Sequence, residues 1–298
     1  MELGLIGCGR WGALILRDLR ALGAEVSVLT RDGSGAANAR AGGGRVVGSV
    51  DDLRGCAGVV VAVPSVSHAS VIDSVLPLGV PVFVEKPMTV DVESARRFVA
   101  SAGDRVFVMD KWRYHPGVRR LSELAASGAL GEIQGIHLVR VQHGNPHTDV
   151  DTSWILLPHD LAIARDVLGA LPEPRLARAV TTGSRVEAMY AVLGDSPWCH
   201  IEISSIAAAA QRRVEVFGTD GIGVLDDGWA DHVSVYRTDP DGGRRIERIE
   251  ATGELPLLAE LRAFVEHLEG GPPPRSSAAE GLEVVEAIST LRSLAGVR

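Results

Sequence analysis

Leu3-Gly4-Leu5-Ile6-Gly7-Cys8-Gly9-Arg10-Trp11-Gly12 decides how the first third of the chain is read. A short apolar run passes directly into G-x-G-x-x-G, and Trp11 to Leu22 continue with helical spacing. In that order of strand, turn and helix, Gly7 permits the tight turn and Gly9 lets the backbone approach a pyrophosphate. Gly12 allows close helix packing while the helix N-terminus faces the anion. The glycine pattern alone is weak, because a surface turn can match it by chance; its context gives it weight.

That context is a repeated βα pattern. Leu3–Ile6, Val26–Leu29, Val59–Val63, Val80–Val84 and Val106–Met109 are short runs rich in Val and Ile, bounded by Gly, Pro or charged residues. Continuous apolar runs of this length fit parallel strands buried on both faces. Helical spacing recurs between them, in His68–Leu78 and in the segment opened by Asp91, whose apolar positions include Val92, Ala95 and Phe98. The expected fold is an α/β Rossmann domain with a doubly wound parallel sheet.

After Pro116 the pattern changes. Val118–Ala126 reads as a helix stopped at Gly128, and Ile133–Gln142 as a β-branched strand. A helix from about His159 to Leu168 ends at Gly169. Strands are then expected at Arg175–Thr182, Arg185–Leu193, Cys199–Ser205, Arg213–Phe217, Gly221–Leu225 and His232–Arg237. Two amphipathic helices, Leu255–Leu268 and Ala278–Leu294, flank the Gly270-Gly271-Pro272-Pro273-Pro274 loop. The division expected is residues 1–117 for the dinucleotide and 118–298 for an α+β domain with a mainly antiparallel sheet, serving substrate binding and oligomerisation.

Composition agrees with a folded enzyme-sized chain. At 298 residues, two domains are the natural expectation. The content is 46% hydrophobic and 23% charged, which suggests neither disorder nor a fibrous repeat. A formal charge of −8 with scattered arginines argues against a nucleic-acid partner. Cys8, Cys56 and Cys199 form neither a CxxC pair nor a disulfide framework, so a reducing cytoplasm is the simplest setting. There is no basic leader, and no apolar stretch approaches the roughly 18 residues a membrane span needs.

The residue ending the second strand discriminates between dinucleotides. An acidic side chain there would bind a free ribose 2′-hydroxyl. Here the strand runs into Thr30-Arg31-Asp32, and a hydroxyl with a guanidinium suits a 2′-phosphate, which favours NADP(H). Asp32, two residues further on, keeps NAD(H) open.

Val84-Glu85-Lys86-Pro87 resembles a motif of the glucose–fructose oxidoreductase and inositol dehydrogenase family (Gfo/Idh/MocA). Pro64-Ser65-Val66-Ser67-His68 resembles that family's Pro-x-x-x-His segment, and Lys111-Trp112-Arg113-Tyr114-His115-Pro116 its basic and aromatic domain crossing. Gly128–Gly131, Trp154–Gly169 and Pro256–Gly281 follow in the same order, so the resemblance covers essentially the whole chain. It implies that Lys86 is a proton-transfer residue beside the nicotinamide, that the peptide before Pro87 is cis, and that His159 assists on the substrate side.

The chemistry agrees, because moving hydride to or from an alcohol carbon requires a proton to join or leave the oxygen. An amine ordinarily titrating near 10.4 must be brought toward neutrality by burial or nearby cations. His159, placed at the start of its expected helix, would be kept neutral by the dipole, and Asp160 would serve helix-start electrostatics. Relatives carry an acid four residues before this His; here the position is Ile155. An apolar wall there suits a substrate with a deoxygenated edge.

The dinucleotide contacts expected are Gly7, Gly9, Arg10, Trp11, Gly12, Thr30, Arg31, Pro64, His68, Glu85, Lys86 and Arg113. Lys86, His143, Trp154, Ile155 and His159 are expected on the substrate. Asn145, His147, Asp149 and Asp151 lie in the same stretch and read equally as a solvated loop. The mixture of His and Asp lacks metal-ligand spacing, so no metal is expected. The reading is an NADP(H)-linked oxidoreductase acting on a ketone or alcohol carbon of a sugar, sugar nucleotide or cyclitol, such as a deoxysugar ketoreductase. A homodimer or homotetramer is expected. A reductase of imines or conjugated systems, and a dinucleotide-binding regulator without turnover, are the alternatives.

Overall fold

The computed structural model describes residues 1–145, 147–239 and 241–297. The chain begins β1 (Glu2–Ile6), α1 (Arg10–Ala21), β2 (Glu25–Leu29), α2 (Gly33–Ala41), β3 (Arg45–Val47) and β4 (Val59–Val61). It continues α3 (His68–Val75), β5 (Val82–Glu85), α4 (Val92–Ala102), β6 (Val106–Met109), α5 (Pro116–Ala126), β7 (Ile133–His143) and α6 (Thr152–Leu168). Then follow β8 (Pro174–Thr182), β9 (Arg185–Leu193), β10 (Trp198–Ser204), β11 (Ile206–Gly218), β12 (Ile222–Leu225), β13 (His232–Thr238) and β14 (Arg244–Glu250). The helices α7 (Pro256–Leu268) and α8 (Ala278–Leu294) come last. Among the described residues, no helix is long and apolar enough to cross a membrane.

Two compact units result, Met1–Lys111 with Leu255–Val285, and Trp112–Glu254 with Glu286–Arg298. The sequence reading divided the chain once, at 117/118, and left Leu255–Val285 in the second domain. The apolar face of α7 explains its return: Leu257, Leu261 and Phe264 are buried in the core built by Leu3, Leu5, Val60 and Phe83. The Phe264 and Phe83 rings stack at 4.8 Å.

In the first unit the strands are parallel in the order β3-β2-β1-β4-β5-β6. The order reverses between β1 and β4, which leaves a crevice outside their carboxyl ends. Val59, Val60, Val61, Val82, Phe83 and Val84 have no exposed surface, as strands covered on both faces require.

The second unit holds an eight-stranded sheet in the order β14-β13-β12-β11-β7-β10-β9-β8, antiparallel except for β7 beside β10. The face carrying Ile136, Leu138, Val214 and Val216 is buried, and α6 packs on β7, β9 and β10. The sequence reading started this helix near His159, with Pro158 just outside. In the structure α6 starts about two turns earlier, where the Asp151 side chain accepts the Ser153 N–H at 3.1 Å. Pro158 therefore lies inside the helix. His159 and Asp160 are mid-helix residues, and the dipole argument made for both does not apply. Strands β3 and β14 and helix α2 were not anticipated. β14 is a charged edge strand, Arg244-Arg245-Ile246-Glu247-Arg248-Ile249-Glu250, with no buried face to give it an apolar period.

Candidate active site

Three turns at the carboxyl ends of β1, β4 and β5 build the candidate dinucleotide site of the first unit. After β1, Gly7 adopts φ +94° and donates its N–H to the Leu29 carbonyl at 2.9 Å. A Cβ on Gly12 would stand 2.2 Å from the Gly7 oxygen, so α1 begins in direct contact with the turn. A Cβ on Gly9 would meet nothing within 4 Å. The exposed backbone at the N-terminus of α1 is thus open to a pyrophosphate, and the residues present fit a dinucleotide. Asn38, on α2, donates to the Cys8 carbonyl at 2.9 Å and fixes the turn from the other side.

At the end of β2 the Asp32 carboxylate is occupied. Its Oδ1 accepts the Gly35 N–H at 2.6 Å and the Ser34 hydroxyl at 2.8 Å, capping α2. These bonds, the Gly35 amide first, hold its carboxyl below the ordinary range. Thr30 is half-buried and Arg31 exposed beside it. Arg10 is exposed at the first position of α1.

After β4, Pro64 leads into a short 3-10 turn ending at His68. The His68 ring is 1% exposed, with Nδ1 2.7 Å from the Pro87 carbonyl and Nε2 3.0 Å from the Val63 carbonyl. It ties the turn after β4 to the turn after β5. That second turn holds Glu85, Lys86 and Pro87, and the Lys86–Pro87 peptide is cis. The Trp11 indole N–H donates to Glu85 Oε1, while Glu85 Oε2 accepts the Lys86 backbone N–H at 3.1 Å. Burial raises the Glu85 carboxyl, against the opposing charges of Lys86 and Lys111. The Lys111 ammonium sits 4.5 Å from the centroid of the Trp11 ring.

The second unit gathers a different set around Trp112. Its ring stacks on His115 at 4.9 Å and meets His159 edge-on at 6.5 Å, with the Arg140 guanidinium 4.3 Å from its centroid. Arg140 Nε and an Nη bond Asp160 Oδ1 at 2.9 and 2.8 Å, and both side chains are buried. Asp160 is thus a buried ion-pair partner; burial raises its carboxyl while Arg140 opposes the rise. Arg113, expected on the dinucleotide, is buried in this unit with its Nε 2.9 Å from Asp166 Oδ1. Trp154 and Ile155 are buried in the first turn of α6. Asp151 is a structural hub, bonded to Ser153, Val186 and Arg292. His143 and Asn145 line a cavity at the end of β7. His147 is exposed and its Nδ1 lies 3.9 Å from Asp149.

Residues 1–108 match the family described as an oxidoreductase family with an NAD-binding Rossmann fold, GFO_IDH_MocA. UDP-N-acetylglucosamine 3-dehydrogenase of Acidithiobacillus ferrooxidans is 24% identical over 306 residues, covering 98% of this chain and 96% of that protein. Inositol 2-dehydrogenase 3 of Saccharopolyspora erythraea is 32% identical over 230 residues, 73% of this chain and 66% of the relative. The chain belongs to the Gfo/Idh/MocA family of oxidoreductases. The solved structure of the Acidithiobacillus enzyme superposes with a TM-score of 0.86 at 22% identity, covering 99% of this chain and 97% of that one. Levoglucosan dehydrogenase in complex with NADH and levoglucosan gives 0.87 at 17% identity, with 99% and 97% covered. Both share the fold.

The oxidoreductase also carries residues that sequence reading missed. Glu260, on α7, is 1% exposed and its Oε2 has no hydrogen-bond partner. Burial first, then the charges of Glu85 and Asp110, push its carboxyl well above the ordinary 4.5, with Lys111 opposing. The folded chain therefore keeps this proton at pH values where the unfolded chain releases it. Stability on this account is full below about 4.5 and is lost as the pH rises toward the folded value. Glu260→Gln removes the titration. Its melting temperature at pH 7 to 8 is expected to exceed the parent's by about 2–4 °C per kcal/mol recovered, out of roughly 1–3 kcal/mol for an unsatisfied buried group. Melting curves at pH 5 and pH 8 check this: the advantage of the variant must grow with pH.

Proposed function

We propose that this oxidoreductase transfers hydride between NADP(H) and a ketone or alcohol carbon of a sugar, sugar nucleotide or cyclitol. The observation that carries the reading is the position of Lys86. It follows β5, which lies beside β4, one strand from the switch point between β1 and β4, where the open Gly9 caps the N-terminus of α1. When bound, the nicotinamide supplies or accepts the hydride. Lys86 gives the proton to, or takes it from, the substrate oxygen, and His159 assists on the substrate side. Glu85 and Trp11 hold the turn that presents Lys86. Ile155 faces a deoxygenated edge of the substrate.

The preference for NADP(H) is supported by the occupied Asp32 carboxylate and by Arg31 beside Thr30. A 2′-phosphate would accept a charge-assisted bond from Arg31 worth about 1.5–3 kcal/mol. Fluorescence titration is expected to give tighter binding of NADPH than NADH, and Arg31→Ala is expected to narrow the gap by roughly 10-fold or more. Equal affinities in the parent would overturn the preference. Turnover is tested by following NADPH oxidation against a panel of ketosugars; no oxidation with any of them would count against the substrate class. Self-association is supported by the uncovered face of β8 and β9, where Leu176, Val180 and Tyr190 share one side and are about half exposed.

A further inference from the structure

In the register of β11 against β7, Arg212 stands directly opposite Arg140, on the face that also carries Val214, Val216, Ile136 and Leu138. Like charges in opposed positions repel, and here Arg140 is buried and Arg212 half-buried. One of them is compensated: Arg140 holds Asp160 and lies over Trp112. The other is not. Arg212 makes a single hydrogen bond, to Gln142 Oε1 at 3.3 Å, and no carboxylate among the described residues forms an ion pair with it. Burial, then Arg140, pushes its guanidinium below the ordinary value, while Asp227 and Asp160 oppose from further away.

The cavity beside it is made by the sequence. Ile206 pairs with His143, but the next pair is Gln211 with Val141, so the alanines Ala207–Ala210 stand outside the register as a wide bulge. Their methyl groups leave a space of about 630 Å³, lined by Ala208, Ala210, Gln142, His143, Asn145 and Arg212. The hollow is shallow and open to solvent, so a ligand group reaches Arg212 from outside, and a bulge at a strand end commonly re-aims a side chain toward such a site. Away from the hollow, the Arg212 stem and the Trp112 ring both approach Gly228: a Cβ there would stand 2.7 Å from the ring and 3.5 Å from Arg212 Cδ.

We propose that Arg212 is a specificity residue that receives an anionic oxygen group of the substrate, a carboxylate or a phosphate. The planar guanidinium offers paired donors matching either group, and the anion would compensate the two facing arginines. The inference rests on the functional reading only in taking the occupant of this cavity for the redox substrate.

The test is calorimetric binding of glucose, glucuronate and glucose 1-phosphate to the protein with and without NADPH. At least one charged sugar is expected to bind about 10-fold or more tightly than glucose; which of the two does so separates a sugar acid from a sugar phosphate. Arg212→Met is expected to erase the advantage, and Arg212→Lys to keep part of it. NADPH affinity should be unchanged in both. Because Arg212→Met relieves a repulsion, its ligand-free melting temperature should equal or exceed the parent's. Glucose bound as tightly as both charged sugars, an advantage that survives Arg212→Met, or a variant melting several degrees lower would each overturn the inference. A parent that binds neither NADPH nor NADH would overturn the functional reading instead, and the measurements without dinucleotide would still decide on Arg212.

Discussion

Replacement of Lys86 by Met is expected to lower turnover by roughly 100-fold or more while NADPH affinity stays within a few-fold of the parent. The two effects separate because the dinucleotide is expected to be held mainly by backbone around Gly7 and Gly9, whereas the role proposed for Lys86 concerns a proton that moves only during reaction. Met retains the length and the apolar stem of Lys. The turn itself should survive, since it is fixed by the Lys86 backbone N–H on Glu85, by Trp11 on Glu85, and by His68 on the Pro87 carbonyl. A variant with normal turnover and lost NADPH binding would show that Lys86 only holds the nicotinamide.

Gly12→Ala and Gly9→Ala are expected to fail in opposite ways. At Gly12 the new methyl would stand 2.2 Å from the Gly7 oxygen, and that turn has no room to retreat: its N–H is bonded to Leu29, and Gly7 is itself close against the Ala62 carbonyl. Overpacking of this kind costs about 1–3 kcal/mol, and it shifts the backbone that would bind the pyrophosphate. Gly12→Ala should therefore melt lower and lose dinucleotide binding. At Gly9 nothing in the protein lies within 4 Å of the new methyl. Gly9→Ala should melt like the parent and bind dinucleotide more weakly, since the methyl enters the space left for the ligand. Thermal melts with and without NADPH distinguish the two, and a Gly9→Ala protein with parental affinity would remove Gly9 from the site.

The parallel sheet was legible because each strand is a closed apolar run and each glycine of the turn has one steric reason to be there. The turn that carries Lys86 was legible through its resemblance to relatives, and the pattern of the second half through alternation and turn residues. What escaped has physical reasons. Asp151 begins α6 in front of a proline that the sequence rules read as a boundary, and a helix buried along most of its length has little amphipathic period to reveal its true start. Arg140 and Arg212 are each a single charge in a strand, and only the pairing register shows that they oppose one another. Glu260 occupies one inward position in an otherwise ordinary amphipathic helix. The ion pair of Arg113 with Asp166 joins positions 53 apart in the chain, beyond the reach of any local pattern.

The return of Leu255–Val285 to the first unit also governs the order in which the molecule can be made. Synthesis delivers all six strands of the parallel sheet by Met109, yet Phe83, fully buried in the finished protein, lacks its stacking partner until Phe264 has left the ribosome. Domains that are continuous in sequence can close during translation, N-terminal first. Here the nascent Rossmann half must wait, with apolar surface uncovered, while the entire second sheet emerges.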